Sequence, residues 1–378
     1  MKSLKEIGLL FFKLGLIAFG GPAAHIAMME EEIVSKKKWM NRQHFLDLIG
    51  VTNLIPGPNS TEMAIHCGYY KAGIPGLITA GLAFILPAVL ITGVLAYLYV
   101  NFGTLPDLQP FLYGIKPAVI VIILNAVYKL SIKAFKGWKL IFIGISVAVI
   151  NFLGMNEIYS ILLGGIFGAL FILLSERKKK LNSVLPIEIF FIISFFIQAI
   201  EKNELSLTKI FLIFLKIGAV LFGSGYVLVA YLDGEIVQGL QWLSRQELLD
   251  AIAIGQITPG PVLSTATFIG YQLSGISGAL IATAGIFLPS FIFVLIVNPI
   301  VPKLRNSKIF SVFLDAVNVS AIAVMFIVGI KLGAEVLIDW RSWLIALLSA
   351  AAFFKIKRIN SAYIVLSGAI TGWLLSLI

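Results

Sequence analysis

Long apolar runs separated by short polar stretches dominate the chain. Gly76–Val100, Ile187–Ile200 and Gly275–Val297 approach or exceed the ~20 residues that carry an α-helix across a bilayer, and the chain holds many such runs. Membrane-barrel strands would instead be short and alternating, so the pattern predicts an all-α polytopic membrane protein. Two of the runs are broken in the same way. "LIPGPNSTEM" (Leu54–Met63) and "QITPGPVLSTAT" (Gln256–Thr267) each place Pro-Gly-Pro before small polar residues.

The breaks belong to an internal repeat. "FFKLGLIAFGG" (Phe11–Gly21) falls on "FLKIGAVLFGS" (Phe214–Ser224) at an offset of 203 positions, which pairs Lys13 with Lys216 and Gly20 with Gly223. The same offset puts Glu32 on Glu235, Trp39 on Trp242, Arg42 on Arg245, Asp47 on Asp250 and Pro56-Gly57-Pro58 on Pro259-Gly260-Pro261. After a one-residue deletion, Gly68, Gly73, Gly76 and Pro87 fall on Gly270, Gly275, Gly278 and Pro289. The chain therefore divides into a repeat over 1–180, a linker over 181–204 with one apolar segment, and a second repeat over 205–378.

Loop charge gives the expected orientation of the halves, because basic loops stay on the cytoplasmic side. Asn101–Gln109 has no Lys or Arg, whereas its counterpart Lys303–Lys308 has three; Lys129–Lys139 holds four lysines, whereas Lys331–Arg341 is mixed. The bias then reverses again between Asn151–Tyr159 and Lys355–Arg358. These reversals predict inverted repeats, as in many secondary transporters. Lys2, Lys5, the "KKKWMNR" of Lys36–Arg42 and Lys71 share one side only if the segments between them enter and return. "FGGP" (Phe19–Pro22) and Pro56–Pro58 are thus expected at the tips of two re-entrant hairpins, which the second half copies from the opposite face.

Composition sharpens this reading. With 59% hydrophobic and 13% charged residues and a mean hydropathy of +0.98, the chain lies far from a soluble domain's ~25% charged residues. The net charge of +10 then reports membrane orientation and not a nucleic-acid partner. The single cysteine, Cys67, excludes internal disulfides and cysteine-based metal sites, and the three histidines have no metal-ligand spacing, so no metal or cofactor is expected. No cleavable leader is expected, since the first apolar run carries Lys13.

The breaks carry the candidate chemistry. Pro-Gly-Pro ends one half-helix and starts another, leaving Asn59, Ser60 and Thr61, and Ser264 and Thr265 in the second copy, at uncapped helix starts rich in N–H donors. A helix N-terminus carries about half a positive charge and favours an oxyanion. Lys13 and Lys216, within apolar segments, and Lys116, whose repeat partner is Asn318, are candidate cations, with snorkelling to the interface as their alternative. His25, Glu62 and His66 lie near the first-half breaks and are candidates to carry a coupling proton, with hydrogen-bonded packing as theirs.

"FGGPAAHIAMMEEEIVSKKKWM" with "FLDLIGVTNLIPGPNSTEMAIHCGYYKAGIPG", and "FGSGYVLVAYLDGEIV" with "LDAIAIGQITPGPVLSTATFIGY", resemble the first- and second-half signatures of the chromate transporter family. The resemblance covers both halves and implies the long, two-domain form of that family: an exporter of chromate driven by protons or membrane potential. An enzyme would need a nucleophile or metal cluster, and the sequence offers none, so no enzyme is expected. The resemblance carries the family motif to Gly20, Gly21, Pro22, Pro56, Gly57, Pro58, Gly223, Pro259, Gly260 and Pro261, while Ser224 and Gly225 depart from it where the first half has Gly21 and Pro22. Sulfate or another tetrahedral oxyanion is the alternative substrate, and a lipid-phosphate translocase a more distant one. Membrane lipid is the expected surrounding partner, with a homodimer as a possible assembly.

Overall fold

The computed structural model describes residues 2–19, 21–53, 55–103, 105–175, 205–222, 225–297, 308–356 and 359–378. Among these there are fourteen α-helices and no strand, as expected for an all-α polytopic membrane protein. Five helices are long and apolar enough to cross a membrane. The expected linker segment of 181–204 and the basic loop of 303–307 lie outside the described residues.

The first half runs α1 (Lys2–Ile17), α2 (Pro22–Met29) with a π-helical extension (Glu30–Lys36), α3 (Arg42–Thr52), α4 (Asn59–Phe102), α5 (Gln109–Ala134), α6 (Trp138–Phe152) and α7 (Glu157–Ser175). The second half runs α8 (Leu207–Val220), a 3₁₀ turn (Gly225–Val227), α9 (Leu228–Leu232) with its own π-helical extension (Asp233–Gly239), α10 (Arg245–Ile257), a 3₁₀ turn (Val262–Ser264), α11 (Thr265–Val297), α12 (Lys308–Val336), α13 (Trp340–Lys355) and α14 (Ser361–Ser376). Aligned positions share backbone detail. Lys38 and Gln241 both have positive φ, and Asn41 and Ser244 cap the helices that follow.

Two helical hairpins open each half. Glu6 of α1 receives a hydrogen bond from Lys37 at 2.7 Å, and Lys13 lies 3.6 Å from Glu32, so α1 and the α2 segment run antiparallel about a tip at residues 18–21. His44 of α3 packs on Tyr70 with ring centroids 4.8 Å apart, while Asn59 donates to Asn53 at 2.6 Å; this pair reverses about Pro56–Pro58. The open ends of both hairpins gather at Trp39, whose ring is covered by Lys37 and Lys71.

α4 itself folds back once. Ala72 and Gly73 leave helical geometry (φ −149° and +59°), and Ser274 and Gly275 repeat this in α11 (φ −153° and +58°). Gly68 abuts the carbonyl of Gly76, residues that a straight helix would hold ~12 Å apart, and Gly270 meets Gly278 likewise. A side chain at either position would push the two arms apart. The outer arm then packs along α1, where Gly15 lets the Phe84 carbonyl approach its backbone; Gly218 does the same for Ile286.

The halves exchange partners. Gly114 of α5 packs on Gly368 and Gly372 of α14, and Gly165 and Gly168 of α7 pack on Val317 and Ala316 of α12. From the Trp39 end, α4 crosses to the far end, α5 returns, and α6 crosses again to bring Glu157 of α7 there. Gln238, at the open end of the second-half hairpins, donates to Glu157 at 3.1 Å, and Arg245 pairs with Asp233 and with Glu335 at the close of α12. First-half hairpins therefore open at one end of the bundle and second-half hairpins at the other.

Candidate functional site: the crossed tips

Hairpins that enter from opposite ends meet tip to tip. The Gly57 N–H donates to the Leu221 carbonyl at 2.7 Å, and the Gly260 N–H donates to the Ala18 carbonyl at 2.8 Å. Ala18 and Leu221 are repeat partners, so each Pro-Gly-Pro turn is pinned to the other half's first break. The glycines are required here: Gly57 has φ +139° and Gly260 φ +89°, regions closed to side-chain-bearing residues.

The helix starts at these turns have no side-chain caps. Pro58 and Pro261 precede α4 and the 3₁₀ start of α11, and Gly21 precedes α2, none with a capping side-chain hydrogen bond. Ser60, Thr61, Ser264 and Thr265 are buried behind them, while Asn59 is half-buried. Ser264 accepts from Thr92 of the first half at 3.3 Å, and Thr265 donates to the Val262 carbonyl at 2.8 Å. Gly20, Gly223 and Ser224 lie outside the described residues.

Several of the buried polar atoms without a partner lie near the first-half tips. Among the described residues, Thr61 Oγ1, both carboxyl oxygens of Glu62, both ring nitrogens of His66, and Ser290 Oγ are buried and make no hydrogen bond. Native interiors leave few such groups, and each calls for an explanation. Glu62 is fully buried, and its carboxyl folds back over the Pro-Gly-Pro turn with Ser290 Oγ beside it; a Cβ on Gly57 would collide with both. His66 follows Glu62 by one helical turn, and His25 sets its ring edge against Phe84 at 5.8 Å.

The three lysines lie elsewhere. Lys13 is 60% exposed and pairs with Glu32, whereas Lys216 is 12% exposed and pairs with Glu235 at 2.8 Å. Lys36 also donates to Glu32, and that bond, ahead of the charge of Lys13, holds the Glu32 carboxyl below its ordinary range. Lys116 sits 3.6 Å from Asp250, whose second oxygen accepts from Tyr99 at 2.8 Å. Each lysine is thus neutralised by a carboxylate, and the tips are lined by backbone N–H groups and hydroxyls instead. An apolar groove between α6 and α7, lined by residues such as Phe142, Val147 and Phe167, contains none of the tip residues.

Ser290 and Thr92 are tip residues that the sequence reading missed. A signal existed for Ser290: it follows Pro289, the repeat partner of Pro87, where proline frees a turn of helix from regular bonding. Nothing local marked Thr92, which reaches the site only because α4 and α11 pack together.

The family profile of chromate transporters matches residues 5–169 and, a second time, residues 208–373. A probable chromate transport protein of Synechococcus elongatus is 32% identical over 98% of this chain and 95% of its own length. A chromate transport protein of Cupriavidus metallidurans is 32% identical over 98% and 92%, and an uncharacterized transporter of Methanocaldococcus jannaschii is 30% identical over 99% and 94%. No solved structure matches the chain significantly. With its tips crossed between two matching halves, the chain is an integral membrane protein that belongs to the chromate transporter family.

Proposed function

We propose that the protein exports chromate, or a tetrahedral oxyanion of its size and charge, by alternating exposure of the crossed tips to the two sides of the membrane. The observation that carries this reading is the reciprocal pinning of Gly57 to Leu221 and Gly260 to Ala18, which sets each Pro-Gly-Pro turn, with its uncapped helix start, against the other half. An oxyanion there loses its water and is given fixed N–H donors, with Asn59, Ser60, Thr61, Ser264 and Thr265 adding side-chain contacts. Irregular backbone at membrane depth is tolerated where it lines such a site.

In this reading the basic end, with Lys36–Arg42, Lys71 and Lys133–Lys139, faces the cytoplasm, and the repeats of 1–180 and 205–378 are inverted about the linker of 181–204. The buried His25, Glu62 and His66 supply the proton coupling. Lys13 and Lys216 pin the hairpins through Glu32 and Glu235, while Lys116 holds the second-half hairpin through Asp250 and can exchange that partner for the anion. Purified protein in liposomes tests the reading: vesicles preloaded with chromate should lose it faster when a pH gradient or potential is imposed. Vesicles that release sulfate but not chromate would reassign the substrate, and vesicles that release neither would refute oxyanion transport.

A further inference from the structure

We propose that binding of the oxyanion loads one proton onto Glu62, so that anion and proton occupy the site together. This rests on the oxyanion reading above and adds the identity of the proton site and the sign of the coupling. The carboxyl of Glu62 lies over the turn that precedes its own helix, in the space a Cβ on Gly57 would fill. It stands where the helix start would attract an oxyanion, with both oxygens buried and unpartnered among the described residues.

The second-half tip is built without this group. Thr265 takes the place of Glu62, its hydroxyl tied to the Val262 carbonyl, and Gly260 faces Ala88 where Gly57 faces Ser290. Of the two Pro-Gly-Pro turns, each hydrogen-bonded to the other half, only the first therefore carries a carboxyl. A carboxylate and a dianion this close, away from water, repel too strongly to coexist. The proton comes from solvent, forms an O–H bond on the Glu62 carboxyl, and leaves when the anion does.

The neighbours leave this role to Glu62. α11 carries no charged residue and no histidine, α1 contributes Lys13 already paired with Glu32, and α3 contributes His44 stacked on Tyr70 together with Arg42 and Asp47 near the hairpin base. Among the described residues, His66 on α4 itself, His25 on α2 and the Tyr226 hydroxyl, which stands against Gly21, are further titratable groups near the first-half tips.

The test uses full-length protein in detergent and weak buffer, at a pH alkaline both to chromate's own protonation and to the ionisation of Glu62 in the anion-free protein. Adding chromate should take up about one proton per anion bound, and affinity should fall roughly tenfold per pH unit above the ionisation of Glu62. Glu62→Gln should bind chromate with no proton uptake and a flat pH profile. Should that variant fail to purify, infrared difference spectra of the wild type should show a neutral carboxylic acid appearing as chromate binds. Binding without proton uptake, uptake retained in Glu62→Gln, or uptake lost only in His66→Gln would overturn the assignment. Absence of any chromate or sulfate binding by the wild type would instead refute the oxyanion reading, and this inference with it.

Discussion

Two lysines related by the repeat sit in different surroundings, and that difference sets what each removal costs. Lys13 is largely exposed, and an exposed ion pair contributes ~0.2–1 kcal/mol, so Lys13→Gln should leave the melting temperature of the purified protein nearly unchanged. Lys216 and Glu235 are each 12% exposed, and Lys216→Gln strands a largely buried carboxylate, at a cost of roughly 2–3 kcal/mol. Equal melting shifts in the two variants would contradict this asymmetry. At the tips the ranking runs the other way, because backbone donors outlast side-chain changes. Ser60→Ala should weaken chromate binding by only about 0.5–1.5 kcal/mol. Gly57→Val should abolish it, since the new side chain meets Glu62 and Ser290 and the turn needs φ +139°. Titration calorimetry on both variants decides it, and a Gly57→Val protein that binds normally would remove the turn from the site.

Among the elements, the reversals are the unusual part, and each has a local cause. Proline ends the helix before each Pro-Gly-Pro turn, a positive-φ glycine closes the turn at Gly73 and Gly275, and paired glycines let the arms touch. Elsewhere, one ordinary helix cap also bridges the halves. Asp339 caps α13 by accepting from the Ser342 N–H at 2.7 Å and also accepts from Tyr113 of α5 at 2.5 Å. The Tyr113 hydroxyl, then the Ser342 backbone, hold its carboxyl below the ordinary range. A lowered folded value means that this stabilisation is complete above the unfolded carboxylate range and is lost as the pH falls through the folded value. Asp339→Ala should therefore lower stability by about 1–2 kcal/mol at neutral pH, with the deficit shrinking in acid. A deficit independent of pH would assign the loss to packing.

For the whole molecule, the opposed entry of the hairpins fixes which loops share a side. In a Cys67→Ser background, which removes the one buried thiol, cysteines at Ala134 and Ile356 should react with impermeant reagents only from the cytoplasm, and those at Gly103 and Leu337 only from outside. Labelling of positions 134 and 337 from one side would refute inverted insertion. The same arrangement explains why α5 packs on α14 and α7 on α12 across the halves: each half lends helices to the other, so the tips are held in register by a shared shell.

Hydropathy and the repeat together determined that the chain is an α-helical membrane protein of two like halves, because a helix needs ~20 apolar residues to span and a register kept over many positions does not arise by chance. The Pro-Gly-Pro breaks were also legible, since proline and glycine act through local backbone geometry that no neighbour is needed to reveal. Partnership was not legible. The sequence offered Lys13, Lys116 and Lys216 as candidate cations without naming partners for them, and Glu32, Asp250 and Glu235 neutralise them, two across a hairpin and one across the halves. Pro289 marked the place of Ser290 but not its neighbour Gly57, and nothing marked Ala18 and Leu221 as acceptors of the tip N–H bonds. Those contacts join residues some two hundred positions apart, and only the packing of hairpins entered from opposite ends brings them within reach.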